Sequence, residues 1–205
     1  MKQDKLHLAR LLAERLMVYK NTNTVVVAIS INGIEMGCYL AKVLQLHFDI
    51  LLSATIKHPS IKNRRIGSVC SDEVVINATH HDLPQDYIYH QVILHKHALK
   101  AKYKFYRDNT EAVSLTGKNV ILISDMIATD DLAEACLTCI SKKQPERIIM
   151  ALGKISPEMQ QRISPEVDDL IFLSVDSASD TADDTNLSDE EIRQLVKGQS
   201  LVLNL

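Results

Sequence analysis

Glycine is scarce in this chain, six residues in 205, and none of them builds a G-x-G-x-x-G after a strand-like run. That absence argues against a dinucleotide-binding βαβ fingerprint, in which glycines let the backbone approach a pyrophosphate. No apolar run approaches the roughly 20 residues that cross a bilayer. The opening MKQDKLHLARLLAERL alternates charge with apolar residues and does not read as a secretory signal. A membrane partner is therefore not expected, and a cytoplasmic location is the default. Neither sign of charge dominates: 23 Lys and Arg stand against 26 Asp and Glu, a net charge of −3. Such a balance gives no electrostatic ground for binding nucleic acid.

Cysteine is limited to Cys38, Cys70, Cys136 and Cys139, too few for a disulfide framework in a chain of this size. Cys136 and Cys139 form a C-x-x-C nearly two turns inside a helical segment, away from the helix N-terminus that would activate a thiol. They read as buried apolar thiols, with a redox or zinc role as the alternative. His80, His81, His90, His95 and His97 cluster in sequence, but no two have the i, i+4 spacing of a helical metal site. No metal-ligand set is read from the residues, and these histidines are assigned to a wet helix face.

At 46% hydrophobic residues the chain can bury one core, and a single domain over 1–205 is expected. Residues 1–20 predict an amphipathic helix with Leu8, Leu11, Leu12 and Leu16 on one side. TVVVAISI (24–31) reads as a strand covered on both faces, Asn32-Gly33 as a turn, IEMGCYLAKVLQL as a helix, and FDILLSAT (48–55) as a second strand. Residues 56–110 change texture, with the basic run Lys62–Arg65, short strand candidates GSVC and VVIN, and a polar helix from about Leu83 to Arg107 carrying Ile88, Val92, Leu99 and Tyr103 inward. This stretch is expected to form an inserted hood or flap. The α/β alternation then resumes through KNVILIS, DLAEACLTCISKK, ERIIMAL, PEMQQRI and DDLIFLSV. The predicted fold is α/β, a mostly parallel twisted sheet with helices on both faces plus the hood. Residues 176–187 read as an acidic linker, and 188–205 as a terminal helix and tail, with Ser188 as cap and Glu191 as its box partner.

Ligands of such sheets bind beyond the carboxyl ends of the strands, which directs attention to the loops after Ile31, Thr55 and Ser124. Residues 120–135, VILISDMIATDDLAEA, run from a buried strand into a helix N-terminus, a ready anion site because its first amides are unpaired. Yet the turn has no glycine and carries Asp130 and Asp131. One reading is that an aspartate caps the helix, with Glu134 completing a box with Asp131, so that the chain supplies its own anion. The other is that a phosphate site survives, with the carboxylates swung outward.

The order of VVVAISINGIEMGCYLAKVL, FDILLSATIKHP, GSVCSDEVVIN, KAKYKFYRD, VILISDMIAT and SDEEIRQLV resembles a type I phosphoribosyltransferase. The likeness is strongest to a broad group of bacterial members with a hood inserted after the second strand. It runs over most of residues 24–196 and includes His58-Pro59 and Tyr106-Arg107. The resemblance implies phosphoribosyl pyrophosphate (PRPP) as substrate, Mg²⁺ as cofactor where the chemistry is retained, and a nitrogenous base as acceptor. It places Ser124, Asp125, Met126, Ile127, Ala128, Thr129, Asp130 and Asp131 in the ribose and 5′-phosphate loop. Ser30, Ile31, Asn32 and Gly33 fall in the pyrophosphate loop, and Ala54, Thr55 and Lys57 at the end of the second strand.

Several positions depart from the family's pattern. Its acid pair becomes Ser124-Asp125 and the following glycine becomes Met126. Two small residues become Asp130 and Asp131, and the second threonine becomes Leu132. The pyrophosphate-loop arginine becomes Ile31, one of its two glycines becomes Asn32, and Arg-Lys becomes Ala54-Thr55. Lys57 lies two residues late for that role. The aromatic residues that would pack on a base are missing from DSASDTADDTN. A carboxylate about 4 Å from one phosphate charge costs roughly 4 kcal/mol at an effective dielectric near 20, so these changes weaken PRPP handling. The expectation is a phosphoribosyltransferase-fold protein with a decayed catalytic site, binding a nucleotide or PRPP-like molecule in a regulatory or weakly active role. An active PRPP- and Mg²⁺-dependent transferase is the alternative. The Lys62–Arg65 run reads as a solvated loop, the alternative being that it reaches a phosphate across a homodimer or the hood.

Overall fold

The computed structural model describes residues 2–62, 64–77, 83–127, 129–175 and 187–202. In chain order the elements are α1 (Lys2–Arg15), β1 (Thr24–Ala28), α2 (Ile31–Leu44), β2 (His47–Ile50), β3 (Ser53–Lys57), β4 (Arg65–Cys70) and β5 (Glu73–Ile76). They continue with α3 (Gln85–Tyr106), β6 (Asn119–Ser124), α4 (Asp130–Ser141), β7 (Arg147–Ile155), α5 (Pro157–Ile163), β8 (Asp169–Val175) and α6 (Asp189–Val202). The acidic stretch 176–186, Ala128 and the last three residues, all named in the sequence reading, lie outside the described residues.

Five strands form a parallel sheet in the order β2-β1-β6-β7-β8. The unbroken apolar runs of β1 and β6 follow from burial on both faces. Val26, Ala28, Ile121 and Ile123 share a core with α1, α2 and α6. Val25, Val27, Val120 and Leu122 share the opposite core with α4 and α5. The fold is thus the predicted α/β architecture. No helix among the described residues is long and apolar enough to cross a membrane.

A second, antiparallel sheet of order β3-β4-β5 stands beside the first, packed against α3 and α4. FDILLSAT is therefore not one strand. The chain leaves the main sheet after Ile50 and enters the second sheet at Ser53. Periodicity could not show this break, because Leu51 and Leu52, which form it, are themselves buried, at 6% and 8% exposure. Nor is Asn32-Gly33 a turn between elements: α2 already begins at Ile31. The terminal helix α6 starts as predicted, with Ser188 and Glu191 in a reciprocal box: Glu191 accepts from the Ser188 amide and hydroxyl, and the Glu191 amide donates to Ser188 Oγ.

One buried ion pair fixes the end of α3 to the main sheet. Asp49 on β2 is 5% exposed and Arg107 7%. Arg107 donates to Asp49 Oδ1, while the amides of Ile50 and Val113 donate to Oδ1 and Oδ2 at 2.7 and 3.0 Å. Burial pushes the Asp49 carboxyl up, and Arg107 and the two amides pull against that shift.

Candidate functional site

β1 and β6 lie side by side at the point where strand order reverses, β1 continuing to β2 and β6 to β7. The crevice at such a switch point is the usual ligand site of an open α/β sheet. A cavity of about 290 Å³ opens there, bounded by the ends of β1 and β6, by β3 and β4, and by one face of α3.

At the end of β1 the chain closes on itself. Ser30 adopts an extended conformation and its hydroxyl caps α2, accepting from the Gly33 amide at 2.9 Å. Having accepted there, Ser30 can donate to Ser124 Oγ, 2.8 Å away, and Ser124 in turn donates to the Met126 carbonyl at 2.7 Å. This chain of hydroxyls fills the space between the two loops, and Ser124 is fully buried within it. Gly33 is retained for packing: a Cβ there would meet the Ile123 carbonyl oxygen at 2.6 Å. Asn32 accepts from Lys5 Nζ of α1 at 2.6 Å, a cation that local sequence did not connect to this loop.

At the end of β6, Asp125 lines the cavity. Its Oδ1 accepts from the Met126 amide at 3.0 Å, and no partner for Oδ2 occurs among the described residues. Ile127 turns into the core at 5% exposure. Thr129 is the N-cap position of α4, yet its side chain makes no capping bond to that helix.

Among the described residues neither aspartate makes a capping bond to α4 and Glu134 makes no box with Asp131, which departs from the self-capping expectation. The two aspartates occupy the first two helical positions, and their carboxylates bond to other elements. Asp131 is 4% exposed and accepts from Ser68 Oγ on β4 at 2.5 Å. Asp130 is exposed and pairs with Arg162 of α5 at 3.7 Å. Glu134 accepts from the same Arg162 at 3.3 Å. Neither aspartate lines the cavity.

Of the other sequence candidates, Ser30, Ile31, Asn32, Ala54, Thr55 and Met126 line the cavity, whereas Gly33, Ser124 and Lys57 do not. Lys57 lies exposed at the end of β3 and bonds through its carbonyl to Tyr87 Oη. Three basic residues complete the wall: Arg65 from β4, and His95 and Lys102 from α3. Arg65 is the end of the basic run and His95 one of the histidines assigned to a wet helix face, whereas Lys102 by itself carries no signal in the sequence; Lys62 and Arg64 are exposed outside the cavity. His95 and Lys102 are seven apart on one helix, a face signal that becomes meaningful once α3 is known to cover the crevice. Lys102 also approaches Asp189 of α6 at 3.9 Å. Burial holds the His95 imidazolium below its usual range, favouring the neutral ring.

The donor set does not fit a protein-held Mg²⁺. The family's acid pair is reduced to Asp125 beside a buried hydroxyl, and among the described residues no cluster of three or more His, Cys, Asp or Glu has metal-binding geometry.

No family model matches the chain. Two Mycobacterium tuberculosis proteins provisionally named phosphoribosyl transferases are each 22% identical over 178 residues, covering 83% of this chain and 40% of theirs. The chain thus spans less than half the length of those relatives. The Thermus thermophilus protein TT1426 superposes with a TM-score of 0.75 at 22% identity, over 95% of this chain and 97% of that one. A hypoxanthine-guanine phosphoribosyltransferase of Bacillus anthracis superposes with a TM-score of 0.52 at 11% identity, over 92% of each chain. By strand order, by the placement of its crevice and by these likenesses, the chain has a type I phosphoribosyltransferase-like fold.

Proposed function

We propose that this protein binds a nucleotide or a related phosphate monoester in the β1/β6 crevice, and that it acts by binding, having lost the pyrophosphate chemistry of the transferases. The Ser30 cap carries this reading. Departure of pyrophosphate from PRPP builds negative charge that amides and cations must stabilise. Here the Gly33 amide is already taken by Ser30 Oγ, and the position beside it is the aliphatic Ile31. A pyrophosphate would have to displace an internal hydrogen bond and would gain no cation from that loop.

The 5′-phosphate side is different. Thr129 makes no side-chain cap on α4, the helix's first aspartates bond elsewhere, and Asp125 remains at the strand end for a ribose hydroxyl. Unpaired amides at a helix start suit a single phosphate group. A nucleoside monophosphate asks only for that half of the site.

A second reading, an active transferase using PRPP and Mg²⁺ on a nitrogenous base, draws support from Arg65 and Lys102, which share the cavity with Asp125 and would replace the missing loop cations. Calorimetric titration with nucleoside monophosphates and with Mg²⁺–PRPP, beside a pyrophosphate-release assay over a panel of bases, separates the two. Monophosphate binding without pyrophosphate release is expected. Turnover with any base would install the second reading, and failure of every phosphate ligand to bind would remove both.

A further inference from the structure

A second and larger cavity, about 470 Å³, lies on the other side of Leu52 and Leu99, the two residues it shares with the crevice. It arises because β2 is an edge strand and α4 packs over the second sheet, so the middle of α3 and the segment before β6 roof that end of the main sheet. Its walls draw on both hydrophobic cores: Val27, Leu51, Leu115 and Ile140 from one, Leu52 and Leu99 from the other. The volume falls within the range of about 300–1,000 Å³ typical of small-molecule pockets.

The polar groups around this apolar chamber are biased in sign. Asp49 contributes to the wall, but Arg107, Tyr103 Oη and two amides occupy its oxygens. Beyond that neutralised pair the rim carries Lys96, Lys100 and Lys143 with His97, against the single carboxylate of Asp72. Lys96 Nζ is held by the Asp72 carbonyl at 2.8 Å. Lys100 and Lys143 have no ion-pair partner among the described residues. Local basicity of this kind is notable in a chain whose net charge is −3.

We propose that this chamber binds an amphipathic organic anion, an apolar body of aryl or medium-chain alkyl type bearing one carboxylate or sulfonate. The body would lie against Leu51, Leu99 and Leu115, and the head group would meet Lys100 and Lys143. This inference does not depend on the crevice binding a phosphate. Because Leu52 and Leu99 wall both cavities, an occupant here presses on the crevice lining.

The test uses the full chain and anilinonaphthalene sulfonate as fluorescent probe, with decanoate and uncharged decanol as competitors. Expected are saturable one-site binding, displacement by decanoate at lower concentration than by decanol, and affinity weaker by about tenfold or more in Lys100→Glu/Lys143→Glu. Both lysines are exposed, so circular dichroism of that variant should match the parent. Leu115→Trp, which fills the chamber, should abolish binding if its spectrum is native; if it misfolds, the lysine variant decides. Unsaturable fluorescence, equal affinity in the lysine variant, or decanol competing as well as decanoate would each overturn the proposal. A nucleoside monophosphate titration in the same variants reports on the crevice separately.

Discussion

Asp131 gives its carboxylate to Ser68: Oδ2 accepts from the hydroxyl at 2.5 Å across 63 residues of sequence, with the serine fully buried and the aspartate nearly so. The bond ties the first turn of α4 to β4 and removes from the phosphate turn a charge that local sequence had placed there. Asp131→Ala strands the Ser68 hydroxyl and should cost about 1–3 kcal/mol, while adding Ser68→Ala should recover part of that loss. Asp130→Gly, at an exposed position, should change stability by no more than about 1 kcal/mol, its helix-propensity cost included. Urea denaturation measures all three, and a large gain in phosphate affinity from Asp130→Gly would contradict the geometry.

Ser30 closes the pyrophosphate position. Ser30→Ala should cost about 1 kcal/mol through loss of the α2 cap, and Ser30→Gly only a few tenths. The glycine variant frees the Gly33 amide without adding a side chain. Its affinity for inorganic pyrophosphate, read by calorimetry, should exceed that of the parent. An unchanged affinity would mean that the cap is not what shuts the loop.

His95 should make anion binding pH-dependent. Burial lowers its pKa, and an incoming phosphate raises it, so protons are taken up on binding. Affinity should therefore rise as pH falls through the window below about 6.5. The ligand's own second ionisation near pH 6 works in the opposite direction. The informative quantity is the difference between parent and His95→Gln, which should be flat above about pH 7.5 and grow below it. Parallel profiles would place His95 away from the bound anion.

The Asp49–Arg107 pair should behave as one unit. Arg107→Met leaves a buried carboxylate uncompensated and should cost about 3–5 kcal/mol. Asp49→Leu combined with Arg107→Met should cost clearly less than the two single changes summed, since the double variant buries no orphan charge. Additive losses in a chemical-denaturation cycle would show that the two residues act separately.

The element pattern was open to reading because it is local. PEMQQRI forms a helix over the predicted residues, with Ser156 capping it, and SDEEIRQLV starts at its own serine–glutamate box. Leu12 is fully buried on the predicted face of α1, and Leu16 is fully buried just past its end. The break inside FDILLSAT escaped because a run buried in two sheets looks like a run buried in one. Lys102 escaped, and His95 was assigned to a wet helix face, because a residue is a site residue only relative to what its helix covers.

The sequence by itself determined the parallel sheet, since Val25 through Ala28 and Val120 through Ile123 leave no polar face to expose. It also determined the absence of charge at Ile31 and the single acid at Asp125, which no folding can alter. Only the tertiary structure decided where the side chains of Ser30, Asp130 and Asp131 point. A short polar side chain can bond its own helix, a neighbouring strand or a ligand at similar free energy. The choice falls to partners such as Ser124 and Ser68, 94 and 63 residues distant, whose positions exist only once the chain has folded.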